Sequence, residues 1–222
     1  MCGRFTLAAD PSELTDEFQG IQFPADFAPR YNIAPSQPVL AIRNDGSHKA
    51  DFLAWGLVPS WAKDASIGSR LINARGETLA EKPAFRGAYK YKRCLIPADG
   101  FYEWRAGGPK KTKTPYVIRM KSGRPFAFAG LWDEWHSPDG SVLCSCTIIT
   151  TNPNDLMAPI HNRMPVILRH QDYDQWLDRS PRPAASLNAL LRPFPAELLD
   201  AYPVSTLVNS PANDSPECIR AA

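Results

Sequence analysis

The sequence predicts an α+β fold: a single domain with a mixed or antiparallel, partly barrel-like sheet flanked by short helices. Three observations carry this. Apolar, β-rich runs recur through the middle of the chain. Helical patterns interrupt them without the regular alternation of a βαβ protein. The 22 prolines favour fixed loops and leave no room for a long helix. At 222 residues and 44% apolar content, the chain has enough core for one domain spanning 1–222.

In chain order, Asp10-Pro11-Ser12-Glu13 reads as a helix start, with Asp10 as N-cap, Pro11 in the first turn and Glu13 reaching back; Gly20 stops it. Strands are predicted at Pro38 to Arg43, Asp51 to Trp55, Tyr116 to Met120, Pro125 to Leu131, Val142 to Thr150 and Met164 to Leu168. Helices are predicted at Thr78 to Tyr89, Asn154 to Ile160 and Asp172 to Leu177. The Pro-rich stretch from Ser180 to Pro195 is expected to be a surface excursion, and Lys110, Lys111 and Lys113 beside Gly107-Gly108 a solvated hairpin tip. Trp55 and Trp132 are expected in the core.

A formal charge of +2 is too mild to announce a nucleic-acid partner, so any such surface must come from local clusters of Arg and Lys. No basic segment followed by an apolar run opens the chain, and no stretch has the length of a membrane span, which leads us to expect a cytoplasmic monomer without membrane contact. Cys2, Cys94, Cys144, Cys146 and Cys218 are odd in number and scattered, the pattern of reduced thiols. Without a CxxC pair or a Cys/His cluster, neither a metal site nor another cofactor is expected. Cys144 and Cys146 share one face of a strand and read as packing residues.

The chemistry begins at Met1-Cys2-Gly3-Arg4. Removal of Met1 leaves a thiol and an α-amine on adjacent carbons, groups that ordinarily titrate near 8.5 and about 7.7 to 8.0, so both are expected to be partly nucleophilic at neutral pH. An amine condenses with an aldehyde to an imine, and a neighbouring thiolate closes a five-membered thiazolidine on it. An aldehyde is the natural target of such a pair.

Further along lie Arg30-Tyr31-Asn32-Ile33-Ala34-Pro35, Trp55-Gly56-Leu57-Val58-Pro59-Ser60-Trp61, Ile72-Asn73-Ala74-Arg75-Gly76-Glu77, Cys94 to Trp104 with Asp99-Gly100-Phe101-Tyr102-Glu103-Trp104 at its end, and Ile160-His161-Asn162-Arg163-Met164-Pro165. With the opening Met1-Cys2-Gly3-Arg4-Phe5, and with Pro203-Val204-Ser205 and Val208-Asn209 as a closing segment, these motifs resemble the SRAP family, the SOS-response-associated peptidases also described as abasic-site processing proteins. The resemblance runs in order from Met1 to about Asn213. It implies covalent shielding of abasic sites in single-stranded DNA through the N-terminal cysteine, after autocatalytic or aminopeptidase removal of Met1. It therefore implies an enzyme with hydrolase (autoproteolytic) activity, with lyase activity by β-elimination left open, working on cytoplasmic, nucleoid-associated DNA. One departure stands out: Met164 precedes Pro165 where a second arginine is expected.

Carried over residue by residue, the resemblance implies a catalytic set of Cys2, Asn73, Glu103 and His161, and each suits its role. The Asn73 amide can hold the amine or thiol of Cys2. Glu103, between Tyr102 and Trp104, can shuttle protons if an apolar setting raises its pKa. His161 can protonate the sugar ring oxygen and open the abasic deoxyribose to its aldehyde. Arg4, Arg75 and Arg163 are expected to hold phosphates, Trp61 and Trp104 to stack bases, and Asn32 and Pro35 to shape the loop beside the site. Two other readings stay open. An N-terminal-nucleophile amidohydrolase of the class II glutaminase type also opens with Met-Cys-Gly, and a non-covalent single-strand binder would use the Arg and Trp residues alone.

Overall fold

The computed structural model describes residues 2–107, 113–180 and 184–222. Its strands are β1 (Phe5–Leu7), β2 (Arg30–Ile33), β3 (Pro38–Arg43), β4 (Ala50–Trp55), β5 (Asn73–Arg75), β6 (Arg93–Ala98), β7 (Gly100–Ala106), β8 (Lys113–Met120), β9 (Phe126–His136), β10 (Val142–Thr151), β11 (Met164–Pro165), β12 (Ile167–Leu168) and β13 (Leu199–Pro203). Short helices lie between them: α1 (Pro11–Glu17), α2 (Arg86–Tyr91), α3 (Tyr173–Leu177) and α4 (Ala184–Asn188).

The expected α+β architecture is what these strands build. One sheet closes on itself, because β10 pairs with β9 and β4 while β4, β3, β6 and β9 follow one another, giving a five-stranded barrel. The β10–β4 and β10–β5 pairings are parallel and the other pairings of this sheet antiparallel. Closure removes free edges, which suits strands buried on both faces. Gly130 of β9 sits where a side chain could not: an added Cβ would lie 2.8 Å from the Cys94 sulfur and 2.8 Å from Ile96.

The second sheet, in the order β13-β8-β7-β1-β2, is antiparallel throughout. Only Asp99 separates β6 of the barrel from β7 of this sheet. Asp99 is buried, its carboxylate accepting the Thr6 hydroxyl at 2.5 Å and the Ala8 N–H at 2.7 Å. Gly100 lets β1 approach, since a Cβ there would meet the Thr6 hydroxyl at 2.8 Å. The rings of Phe5, Trp55 and Phe128 then meet edge to face between barrel and sheet, with centroids 5.2 and 5.6 Å from Phe5.

Several sequence expectations need correction. Thr78 to Tyr89 is not one helix: the chain makes separate turns and only Arg86–Tyr91 is helical. Pro83 has no N–H to donate and its ring crowds the preceding turn. Asn154 to Ile160 forms two isolated turns, closed by Ala158 N–H to Asn154 and His161 N–H to Met157, with Pro159 breaking the ladder between them. Met164 to Leu168 divides into two short strands, β11 on β10 and β12 on β9, with Val166 donating to Ile149 and accepting from Ala129 between them. The stretch from Ser180 to Pro195 is no surface excursion, for Leu187, Leu190 and Phe194 pack into the core; Pro181 to Pro183 lie outside the described residues. Lys110 and Lys111 also lie outside them. Trp55 and Trp132 are buried as expected, whereas Cys144 is only half-buried beside a fully buried Cys146. Among the described residues no helix is long and apolar enough to cross a membrane.

Phe5 is fully buried at the junction of barrel and sheet. Phe5→Ala is therefore expected to lower unfolding free energy in urea by roughly 3 to 5 kcal/mol, the range for a large buried aromatic, and a loss under about 1 kcal/mol would contradict the packing role.

Candidate functional site

The site is assembled at the start of the chain. The Arg4 carbonyl accepts the Tyr102 N–H at 2.9 Å, one step beyond the β1–β7 ladder, and this carries Cys2 towards Glu103 on β7. Asn73 comes from the other side: β5 pairs in parallel with β10, Asn73 opposite Ile148, and its amide donates to the Cys2 carbonyl at 2.7 Å. The Asn73 Oδ1 is buried and accepts no hydrogen bond among the described residues. It is an open acceptor at the Cys2 backbone, suited to an N–H of a free α-amine.

Electrostatics tie in the remaining pair. Burial, first, pushes the Glu103 carboxyl up from its ordinary 4.5, and the terminal amine and, less strongly, His161 oppose it, so Glu103 and His161 lie within electrostatic reach of each other. Burial, first, and the Glu103 charge, second, drive the Cys2 thiol far above its ordinary range. In this setting a base is needed to take the sulfur's proton. The His161 ring is seated by its own loop, its Nδ1 accepting the Arg163 N–H at 3.0 Å and lying 3.2 Å from the Arg163 carbonyl. Both contacts hold the ring through Nδ1, which accepts from the N–H when bare and donates to the carbonyl when protonated. Cys2, Asn73, Glu103 and His161 thus converge, presenting a sulfur, an amide, a carboxyl and an imidazole: the groups needed for acid–base-assisted nucleophilic attack.

Residues 1–211 match the family described as SOS response associated peptidase (SRAP). The chain belongs to the SRAP family. It is 51% identical to the abasic site processing protein YoqW of Bacillus subtilis (strain 168), over 99% of both chains. It is 36% identical to the abasic site processing protein HMCES of Gallus gallus, over 87% of this chain and 66% of that protein. A crystal structure of a protein from Bacteroides thetaiotaomicron superposes over 100% of both chains with a TM-score of 0.89 at 29% identity.

In this SRAP chain the residues expected to touch a ligand strand divide sharply. Arg75 is exposed on β5 and has no ion pair among the described residues. Trp104 is half-buried, its indole N–H given to Asn209 at 2.8 Å and the Arg4 guanidinium 5.9 Å from its ring centre. Pro35 is half-buried in the turn after β2. The other four have partners within the chain or lie apart from the converging residues. Arg4 spends one guanidinium nitrogen on Asn32 Oδ1 and on the Val208 carbonyl, each at 2.7 Å. Asn32 is fully buried, and its amide donates to the carbonyls of Val208, Ser210 and Asn213, so it clamps the closing segment. Arg163 is forked onto Glu77 at 2.6 and 2.9 Å and also donates to the Thr150 carbonyl at 2.8 Å. Trp61, 60% exposed, lines a separate groove with Pro83, Arg86, Tyr91 and Lys92, to which none of the four converging residues contributes.

Sequence reading passed over Glu77 and Asn209, although both stand inside quoted motifs. A carboxylate two residues after Arg75 in a segment otherwise short of acids was the available signal for Glu77. For Asn209 no local pattern points to Trp104.

A carboxyl raised by burial and held back by an imidazole makes a two-part prediction. The Glu103 carboxyl, followed by 13C NMR, is expected to titrate above its ordinary 4.5, and His161→Ala to move its midpoint higher still. A midpoint at or below 4.5, or a downward move in the variant, would contradict this arrangement.

Proposed function

We propose that this SRAP chain processes abasic sites in single-stranded DNA by capturing the ring-opened sugar as a thiazolidine on Cys2. The observation that carries the reading is the seat of Cys2, second in the chain and fixed between an open amide acceptor on Asn73 and the buried Glu103. Homologues named as abasic site processing proteins support the substrate class.

The steps balance without a cofactor. Hydrolysis of the Met1–Cys2 peptide bond, by this domain or by an aminopeptidase, consumes one water and frees the α-amine. Protonated His161 donates a proton to the sugar ring oxygen while the anomeric hydroxyl gives its own proton to water, and the ring opens to the aldehyde. The amine adds to the aldehyde carbon, and loss of one water gives the imine. The Cys2 sulfur then adds to the imine carbon while its proton passes, by way of Glu103, to the nitrogen. Aldehyde and aminothiol together become thiazolidine and water. Because burial holds the thiol protonated, Glu103 must be ionised to begin the last transfer. Its raised pKa means that this competence is lost as pH falls, starting above the range of an ordinary carboxylate. Arg75 supplies a phosphate contact beside the site and Trp104 an aromatic wall for a flanking base.

Mixing the protein with an abasic single-stranded oligonucleotide is expected to give a heat-stable species whose intact mass is that of both partners minus one water, with the protein starting at Cys2. Cys2→Ala should give none; a stable adduct on that variant, or glutaminase activity in place of an adduct, would overturn the reading. Glu103→Gln is expected to slow adduct formation by about 10²-fold, the usual scale of lost acid–base help, and to abolish the acid limb of its pH profile. Arg75→Ala should weaken binding of an intact single strand and reduce its salt slope by about one unit, as read by fluorescence anisotropy at several salt concentrations.

A further inference from the structure

We propose that Glu77 is a positioning residue for His161: by gripping the Arg163 side chain it fixes the Arg163 backbone on which the imidazole rests. The inference deepens the abasic-site reading and rests on it for the reaction that His161 serves, though not for the geometry.

The imidazole of His161 rests on the backbone of Arg163. Arg163 presents two backbone groups to the same ring nitrogen, its N–H 3.0 Å and its carbonyl 3.2 Å from His161 Nδ1. The N–H suits a bare Nδ1, which accepts; the carbonyl suits an Nδ1 that carries a proton and donates, as it does both in the imidazolium and in the neutral ring left when Nε2 has given its proton away. A ring held to the carbonyl in this way can give up and regain a proton at Nε2 without turning over. Such a seat works only if the backbone of Arg163 is held still.

What holds it is the side chain. The Arg163 guanidinium is mostly buried, with 13% exposure, and it ties three pieces of chain together. Nη1 and Nη2 meet the two Glu77 oxygens at 2.6 and 2.9 Å, Nη1 also reaches Asn152 at 3.1 Å, and Nη2 reaches the Thr150 carbonyl at 2.8 Å. Thr150 is the β10 residue that pairs with both Arg75 of β5 and Pro165 of β11. Glu77 follows β5, the strand that bears Asn73, so the same ion pair binds the Asn73 strand to the His161 loop. The Arg163 hydrogen bonds hold the Glu77 carboxyl below its ordinary range, so it remains charged wherever the reaction would run. A fork-to-fork contact fixes orientation as well as distance, which a single hydrogen bond would not. Glu77 is itself half-exposed, so its charge matters less for holding the fold than for aiming this loop.

The test compares Glu77→Gln and Glu77→Asp with the parent protein. In the DNA-free parent, 15N NMR of the His161 ring should show a single neutral tautomer at high pH. Glu77→Gln is expected to mix the tautomers, to slow adduct formation on an abasic oligonucleotide by about 10-fold at saturating DNA, and to shift the pH profile of that rate. Glu77→Asp, which keeps the charge, should restore most of the rate and the single tautomer, and thermal unfolding of both variants identifies any loss of fold. Unmixed tautomers in Glu77→Gln, or a slower rate with an unshifted pH profile, would overturn the proposal. So would a rate that stays level or rises while affinity for intact DNA increases, because Glu77 would then only be masking Arg163. If the parent forms no adduct, the abasic-site reading fails while the tautomer measurement still decides the role of Glu77.

Discussion

Everything at the site depends on holding a chain terminus still. Terminal residues of most domains fray, since few contacts oppose their entropy. Here the opposition is the buried carboxylate of Asp99, which takes the Thr6 hydroxyl and the Ala8 N–H and so fastens β1 against β7. Phe5 reinforces it from the other face by inserting between Trp55 and Phe128. Asp99 is the only residue between β6 of the barrel and β7 of the second sheet, so the bond that seats the terminus also fixes one crossing between the two sheets. The position of Cys2 is in this sense a property of the whole fold, although its chemistry belongs to one residue.

Burial then determines how that residue can act. A fully buried thiol beside a carboxylate loses its tendency to ionise, and the carboxylate, itself buried, is drawn towards its neutral form. Each group weakens the other's charge, and the imidazole of His161 partly restores that of Glu103. Such an arrangement favours moving a proton between neighbours over storing a free thiolate. It also protects the sulfur, because a protonated, inaccessible thiol is a poor target for oxidants. Reactivity is held back until an electrophile enters the site.

The parts legible in the sequence were those encoded locally. The α1 cap needed only Asp10, Pro11 and Glu13, and the structure shows Glu13 reaching back to the Asp10 N–H at 3.0 Å. The Pro38 to Arg43 run became β3 with the same limits, because its apolar, β-branched pattern agrees with burial on both faces of the barrel. That Cys2, Asn73, Glu103 and His161 belong together came from the family resemblance and not from any local pattern, and what the fold adds is the Asn73 hydrogen bond to the Cys2 carbonyl. The occupation of arginines was not readable. Arg4 is engaged by Val208, 204 residues away, and Arg163 by Glu77, 86 residues away. A guanidinium fork that suits a phosphate suits an internal carboxylate or carbonyl equally well, and only the fold decides which it meets. The apparent helix at Asn154 to Ile160 failed for a related reason: Asn154 Oδ1 accepts the Met157 N–H, and its amide donates to Phe194, a competing partner that sequence distance hides.

The internal use of those arginines bears on how a nearly neutral protein could work on DNA. With a formal charge of +2, and with Arg4 and Arg163 engaged internally, the cationic surface left at the site is modest. A protein that depends on affinity alone would need many phosphate contacts, and its binding would fade steeply with salt. Covalent capture removes that requirement. Under the proposed reading, the noncovalent encounter need only last long enough for an amine to meet an aldehyde, after which ring closure, not ion pairing, holds the complex. Strong nonspecific attraction would even be a disadvantage, since undamaged strands, vastly more abundant than lesions, would occupy the site first. Under that reading, weak charge and a guarded sulfur serve one end, because discrimination would come from the aldehyde that only a damaged sugar presents.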